Sequence, residues 1–334
     1  MKRFSIPSVL WPAVVLIGMC GQVEAQVIVE RLNYRGWDGS YRLRAGAYSL
    51  VVVPEIGGRI MEYSIGGRNV IWENPDEYGK TYPITKVWHN YGGYKTWPAP
   101  QELWGWPPDP MLDYGKTNVE ILRGTGEKPL LRITSAPSLE TGIVFMKDIE
   151  LAPDGAVTLT QRMRNISGHP VRYSLWDVTQ VKTPCFVVFP VSPDSRFEKG
   201  IRYSIEESRS SDQFTVYDGL CITEYIGKVG KIGSDSNGPW MIWFQDKLAY
   251  VKTFGPMQEG VEYPHGGCSA EVFTSDEKLG YLEMEILGPI VELNPGEETA
   301  LVEEWRLYRL SQPVKDKGWI PKSINGMRGK GWIE

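Results

Sequence analysis

Apolar and polar residues alternate along most of this chain, and glycine, proline or a short polar group interrupts the alternation every few residues. Period-two runs predict β-strands, and the interruptions predict tight turns. The pattern marks strands at 48–53, 59–65 and 69–72, the last two joined by a Gly66-Gly67 hairpin turn. It continues at 118–122, 130–134, 142–151 and 156–165, where Pro153-Asp-Gly155 turns the chain and Val157, Leu159, Gln161 and Met163 share one face. After Ser167-Gly-His-Pro170 come 171–182, 186–189, 214–217, 221–225, 240–244, 249–254, 269–274, 281–287 and 299–308. No segment keeps a 3.6-residue apolar period over a helical length, so very little helix is expected. Thirty-six glycines and 24 prolines match this density of turns. The prediction is all-β: one large antiparallel sandwich over 26–310, with the polar stretch 191–211 as loops. Residues 311–334, carrying Lys315, Lys317, Lys322, Arg328 and Lys330, read as a solvated extension.

One stretch fits neither period. Between Trp88 and Trp106 four tryptophans are separated by Gly92-Gly93, Pro98 and Pro100, and Pro107-Pro108 follow. Proline cannot donate to a sheet ladder, so the segment is expected to be a structured loop. Flat rings stack on the apolar faces of sugars, while amide and ammonium groups pair with hydroxyls. Trp88, Asn90, Lys95, Trp97, Gln101, Trp104 and Trp106 are therefore candidate sugar contacts. The competing reading is an aromatic cap over one end of the sandwich.

The start of the chain changes the picture of where the protein works. Met1-Lys-Arg3, an apolar run from Val9 to Met19 and Val23-Glu-Ala25 have the form of a secretory signal peptide (residues 1–25) cleaved after Ala25. A soluble secreted or periplasmic protein is expected, with no membrane span after cleavage. The net charge of −5 argues against nucleic acid and anionic membranes as partners. Cys185, Cys221 and Cys268 remain once Cys20 leaves; three is odd, so at most one disulfide can form, and their spacing matches no zinc pattern. No metal or cofactor is expected, although Asp109 and Asp113 are loop carboxylates of the kind that hold calcium.

Val53-Pro-Glu-Ile-Gly-Gly-Arg-Ile-Met-Glu-Tyr-Ser-Ile-Gly-Gly-Arg-Asn-Val-Ile-Trp72 resembles the N-terminal hairpin of aldose 1-epimerases and other galactose mutarotase-like proteins. Leu282-Glu-Met-Glu-Ile-Leu-Gly-Pro289, followed by Leu293-Asn-Pro-Gly-Glu297, resembles their C-terminal strand and turn. With the 90–101 motif, the match is nearest to an exported bacterial branch. The resemblance implies a β-supersandwich whose concave face holds a mono- or oligosaccharide. In the epimerases a strand carboxylate is the base and a histidine the acid. The base corresponds here to Glu283, with Glu285 on the same strand face; the place of the histidine reads Trp176, whose indole cannot transfer a proton. His265, in Tyr263-Pro-His-Gly-Gly267, and Lys95 are the remaining candidate acids, and Trp176 and Tyr263 join the candidate contacts. Paired glutamates also occur as a plain solvated strand face.

Three functions follow from these residues: a carbohydrate-binding protein, the reading adopted because Trp176 stands at the acid's place; a sugar-active enzyme, epimerase-like or a lyase or hydrolase, using Glu283 and Glu285 with Lys95 or His265; and a structural exported sandwich, which the aromatic stretch argues against.

Overall fold

The strand Val157–Asn165 shows how alternation becomes architecture: Val157, Leu159, Gln161 and Met163 are buried, while Thr158 and Arg164 are exposed. Repeated along the chain, this pattern gives two antiparallel sheets in the computed structural model, which describes residues 26–333. The expected leader lies outside the described residues. The larger sheet runs in the order Ile28–Tyr34, Trp37–Ala45, Tyr48–Val53, Arg59–Ile65, Tyr94–Ala99, Val171–Lys182, Tyr281–Leu287, Ala270–Thr274, Gly230–Ser234 and Arg202–Tyr203. Two short strands, Arg68–Asn69 and Val291–Leu293, pair onto it and make twelve. The nine-stranded sheet runs Phe214–Tyr217, Leu220–Glu224, Phe186–Pro190, Trp240–Phe254, Glu298–Val314, Val157–Asn165, Ile143–Leu151, Pro129–Thr134 and Asn118–Arg123. Trp240–Phe254 is one continuous strand, where the alternation suggested two; its register shift between Asp246 and Leu248 breaks the period without ending the pairing. The fold is all-β, as the alternation predicts.

Between the sheets lies the main core, including Leu50, Val52, Ile60, Tyr94, Leu282, Met284, Trp243, Tyr250 and Trp305. A polar network sits inside it. Lys252, fully buried, reaches Asp177 at 2.5 Å and Glu303 at 3.1 Å. Glu303 also takes the Gln161 amide at 2.6 Å and the Trp305 indole N–H at 3.0 Å, and Thr96 donates to Gln161 at 2.8 Å. Gln161, placed on the inner face by the alternation, is thus a satisfied member of that network.

The aromatic stretch is not the loop its prolines suggest. Tyr94–Ala99 is an interior strand paired with Val171–Lys182 over its whole length, Pro98 opposite Leu175. On its other side the only pair among the described residues is Ile60↔Tyr94, so beyond that point it behaves as an edge, where a proline forfeits no ladder hydrogen bond. Gly92 and Gly93 lead into it at φ 89° and 81°, and a Cβ on Gly92 would lie 2.5 Å from the Trp72 carbonyl oxygen.

The C-terminal segment is also more ordered than its charge implies. Ile320–Arg328 is an α-helix whose Ile320, Ile324 and Met327 bury against Ile242, Phe244 and Val251 on the outer face of the nine-stranded sheet. Nine residues with Pro321 and Asn325-Gly326 make a weak helical signal, and packing supplies what propensity lacks. Ile324→Ala is expected to lower unfolding stability by about 2–4 kcal/mol; a urea midpoint unchanged from that of the parent would show that the helix contributes nothing. Cys185, Cys221 and Cys268 are free and buried, so no disulfide forms among the described residues. No helix among them is long and apolar enough to cross a membrane.

Candidate functional site

Period two decides which side chains leave the core. On Tyr94–Ala99, Tyr94 and Thr96 point between the sheets, so Lys95 and Trp97 stand on the other face of the larger sheet, where both are nearly fully buried. Register carries that face across its neighbours: Gln180 lies opposite Glu283, Val178 opposite Glu285 and Trp176 opposite Leu287. Beyond them Glu285 faces Glu271, and Phe273 faces Lys231. Neighbouring strands thus align Lys95, Gln180, Glu283, Glu285, Glu271 and Lys231.

They form two clusters. In the first, Glu283 Oε1 accepts from Lys95 at 3.1 Å and from Gln180 at 2.9 Å, while its Oε2 takes no hydrogen bond among the described residues. Lys95 also lies 4.6 Å over the Trp97 ring, and burial pulls its pKa below the usual lysine value despite Glu283. Trp97 donates to Asp113 at 2.8 Å, and Arg59 holds the same oxygen at 2.7 Å. Tyr281, tilted against Trp72 at 4.8 Å, brings its hydroxyl towards Asn90 and Gln180. Both polar atoms of the Asn90 amide and Gln180 Oε1 are buried and make no well-formed hydrogen bond among the described residues, the Tyr281 hydroxyl being the neighbour that approaches them.

In the second cluster Lys231 bridges Glu271 and Glu285, each at 2.9 Å, and stands 4.8 Å over the Trp176 ring. Trp176 donates to Glu285 at 2.8 Å. His265 Nδ1 is 3.0 Å from Glu271, and the Gln101 amide donates to its Nε2 at 3.3 Å, which puts the imidazole proton on Nδ1. Burial pushes the Glu285 carboxyl up to about 8, helped by the charges of Glu271 and Glu283. For Glu271 burial acts in the same direction, but Lys231 and His265 outweigh it and hold the group down at about 2. His265 adopts a left-handed backbone, φ 51° and ψ 42°, a strain of about 1–2 kcal/mol for a side chain other than glycine. A cavity of about 370 Å³ opens over this cluster, its wall including Gln101, Arg202, Lys231, His265 and Glu271. A smaller cleft of about 190 Å³ between Leu310 and the C-terminal helix has no carboxylate in its wall.

The sequence candidates are distributed over this geometry unevenly. Lys95, Trp97, Trp176, Glu283, Glu285, His265 and Gln101 converge. Trp97 and Trp176 are buried against each other at 5.3 Å, so they form the floor and not the exposed platform that the clustered tryptophans suggest. Trp104 covers Trp97 and ties itself to the Pro98 carbonyl at 2.8 Å; Trp88 packs on Trp106 at 5.1 Å, and Trp106 is 56 % exposed. Tyr263 is buried away from the cavity wall, its hydroxyl accepting from the Gln258 amide at 3.0 Å. Asp113 is engaged by Arg59 and Trp97, and Asp109 caps the 110–113 turn and takes the Ser138 hydroxyl; neither belongs to a cluster of three metal-ligating side chains among the described residues. The solvated-face reading of the glutamates does not hold, since Glu285 is fully buried and Glu283 nearly so. Lys231, Glu271, Gln180 and Arg202 were invisible to motif reading; only strand register, Glu271 against Glu285, brings them in.

Residues 40–308 match a family model described as a domain of unknown function, DUF4380. The chain belongs to the DUF4380 family. A comparison of this DUF4380 protein with curated proteins finds no match. Among solved structures it is similar to a putative aldose 1-epimerase from Klebsiella pneumoniae, with a TM-score of 0.61 at 10% identity over 91% of this chain and 87% of that one. It is also similar to a galactose mutarotase-like protein from Clostridium acetobutylicum, TM-score 0.58 at 13% identity over 85% and 99% of the two chains. A putative aldose 1-epimerase from Escherichia coli K12 gives 0.55 at 14% identity over 81% and 99%. The DUF4380 chain therefore has the galactose mutarotase-like fold.

Proposed function

We propose that the concave face recognises a carbohydrate, with the Glu283 cluster at its centre. One observation carries the reading: around a carboxylate with a free Oε2 lie the Asn90 amide and Gln180 Oε1, buried and with only the Tyr281 hydroxyl within reach to answer them among the described residues. Buried polar groups in folded proteins are nearly always paired, and neighbouring sugar hydroxyls, each both donor and acceptor, match what this group lacks. The half-exposed rings at the rim supply apolar faces for the pyranose. The signal-peptide pattern read in the sequence at residues 1–25 fits action outside the cytoplasm.

A second reading uses the same residues for chemistry. Glu283 Oε2 would take the proton of an anomeric hydroxyl while the Lys95 ammonium, whose proton is loosened by burial, gives one to the ring oxygen, so the ring C–O bond opens without net change of charge. With Trp176 where the epimerases have their acid, mutarotation of glucose or galactose is expected to be slow or absent, measured by polarimetry.

A calorimetric screen of mono- and oligosaccharides tests recognition. Glu283→Gln and Asn90→Leu are each expected to weaken a bound sugar by roughly tenfold, the loss of one well-placed hydrogen bond. Unchanged affinity in both variants, with their circular dichroism intact, would place the site elsewhere. If Glu283→Gln binds but anomer exchange followed by NMR is lost, the second reading gains.

A further inference from the structure

We infer that the cavity over Lys231 takes an oxyanion carried by the sugar, a carboxylate or a phosphate, and that Arg202 selects it. This rests on the reading of the concave face as a carbohydrate site.

The argument begins with charge. Lys231 is already spent on Glu271 and Glu285, and His265 is turned towards Glu271. With Glu285 retaining a proton, as burial favours, Lys231 and Glu271 cancel. Glu102 reaches the same cavity from the rim and is exposed to water, which screens it. Arg202 is different. Lys231 and His265, in the same cavity wall, each hold a carboxylate, whereas Arg202 holds none among the described residues. Its Nη1 donates to Ser204 Oγ at 3.1 Å, and its remaining N–H groups have no protein acceptor among the described residues.

Packing keeps the guanidinium there. Arg202 runs alongside the His265-Gly266 turn, where a Cβ on Gly266 would come within 3.1 Å of its Nε. Its strand, Arg202–Tyr203, is the edge of the larger sheet and pairs with Gly230–Ser234, which carries Lys231. An unpaired planar fork in the wall of a cavity matches a carboxylate or phosphate in geometry as well as charge, and a hydroxyl alone would leave its charge unanswered. A cavity of about 370 Å³ has room for one charged sugar unit.

The test is calorimetry on the mature protein at pH 7 with D-glucose and D-galactose against D-glucuronate, D-galacturonate and glucose 6-phosphate. At least one acidic sugar is expected to bind roughly tenfold or more tighter than its neutral parent, the gain of a charge-assisted contact. Comparison of the uronates with the phosphate identifies which oxyanion fits. Arg202→Gln should bring acidic and neutral sugars to within about twofold of each other, and Arg202→Lys, which keeps charge but not the fork, should recover part of the preference. Raising NaCl from about 50 to about 500 mM should narrow the gap in the parent protein, a readout that needs no variant. Equal binding of acidic and neutral sugars, or a preference that survives Arg202→Gln or is indifferent to salt, overturns the inference while leaving carbohydrate recognition standing. Failure of every sugar, neutral and acidic, overturns both.

Discussion

Lys252→Met is expected to cost about 3–5 kcal/mol of unfolding free energy at neutral pH, because it strips the cation that bridges two carboxylates buried between the sheets. Asp177 and Glu303 are both essentially sealed from water and meet at Lys252 Nζ, 2.5 and 3.1 Å away. Even with lysine present, burial holds the Asp177 carboxyl well above its ordinary range, reinforced by the Glu303 charge. Without lysine both groups must take protons or drag water into the core. Replacing the whole set, with Lys252→Met, Asp177→Asn and Glu303→Gln together, is expected to recover much of the loss, since a buried ion pair is costly mainly when half of it is removed. Chemical denaturation decides: a single variant within about 1 kcal/mol of the parent would mean that the network is already neutralised by other means.

The second large effect belongs to the site. Lys231→Met is expected to destabilise by a similar 3–5 kcal/mol at pH 7, leaving Glu271 and Glu285 facing each other across paired strands. The sign of its pH dependence follows from the parent cluster. Glu285, raised by burial to about 8 from its ordinary 4.5, binds its proton more tightly folded than unfolded. Its contribution is complete below about 4.5 and is lost as pH rises through 8. Glu271, held down at about 2, contributes above 4.5 and loses that contribution as pH falls towards 2. Stability from this cluster is therefore greatest near pH 5 and declines towards pH 8. In Lys231→Met both carboxyls rise, so its deficit should shrink on acidification. Glu285→Gln should flatten the decline and gain on the order of 3 kcal/mol over the parent at alkaline pH. Thermal melts between pH 5 and 9 that run parallel for all three proteins would contradict this account.

Sequence alone determined which residues alternate, and with them the sheets, the turns and the inner face of Val157–Asn165. It also set Glu283 and Glu285 on one face of one strand, because a period of two is local and needs no partner. Tertiary structure decided the rest. Tyr94–Ala99 became an interior strand although Pro98 argues for a loop, because only pairing shows which ladder a missing N–H faces. The Ile320–Arg328 helix formed where its composition is weak, because the apolar outer face of a sheet built from distant segments was there to cover it. Lys231 and Glu271 joined the site because strand order places Ala270–Thr274 beside Tyr281–Leu287 and Gly230–Ser234 on its far side, so segments that start 11 and 51 residues before Tyr281 become successive strands of one sheet. A solvated glutamate and a buried one that shares a lysine have the same letter in the chain; they differ only in what the fold sets against them.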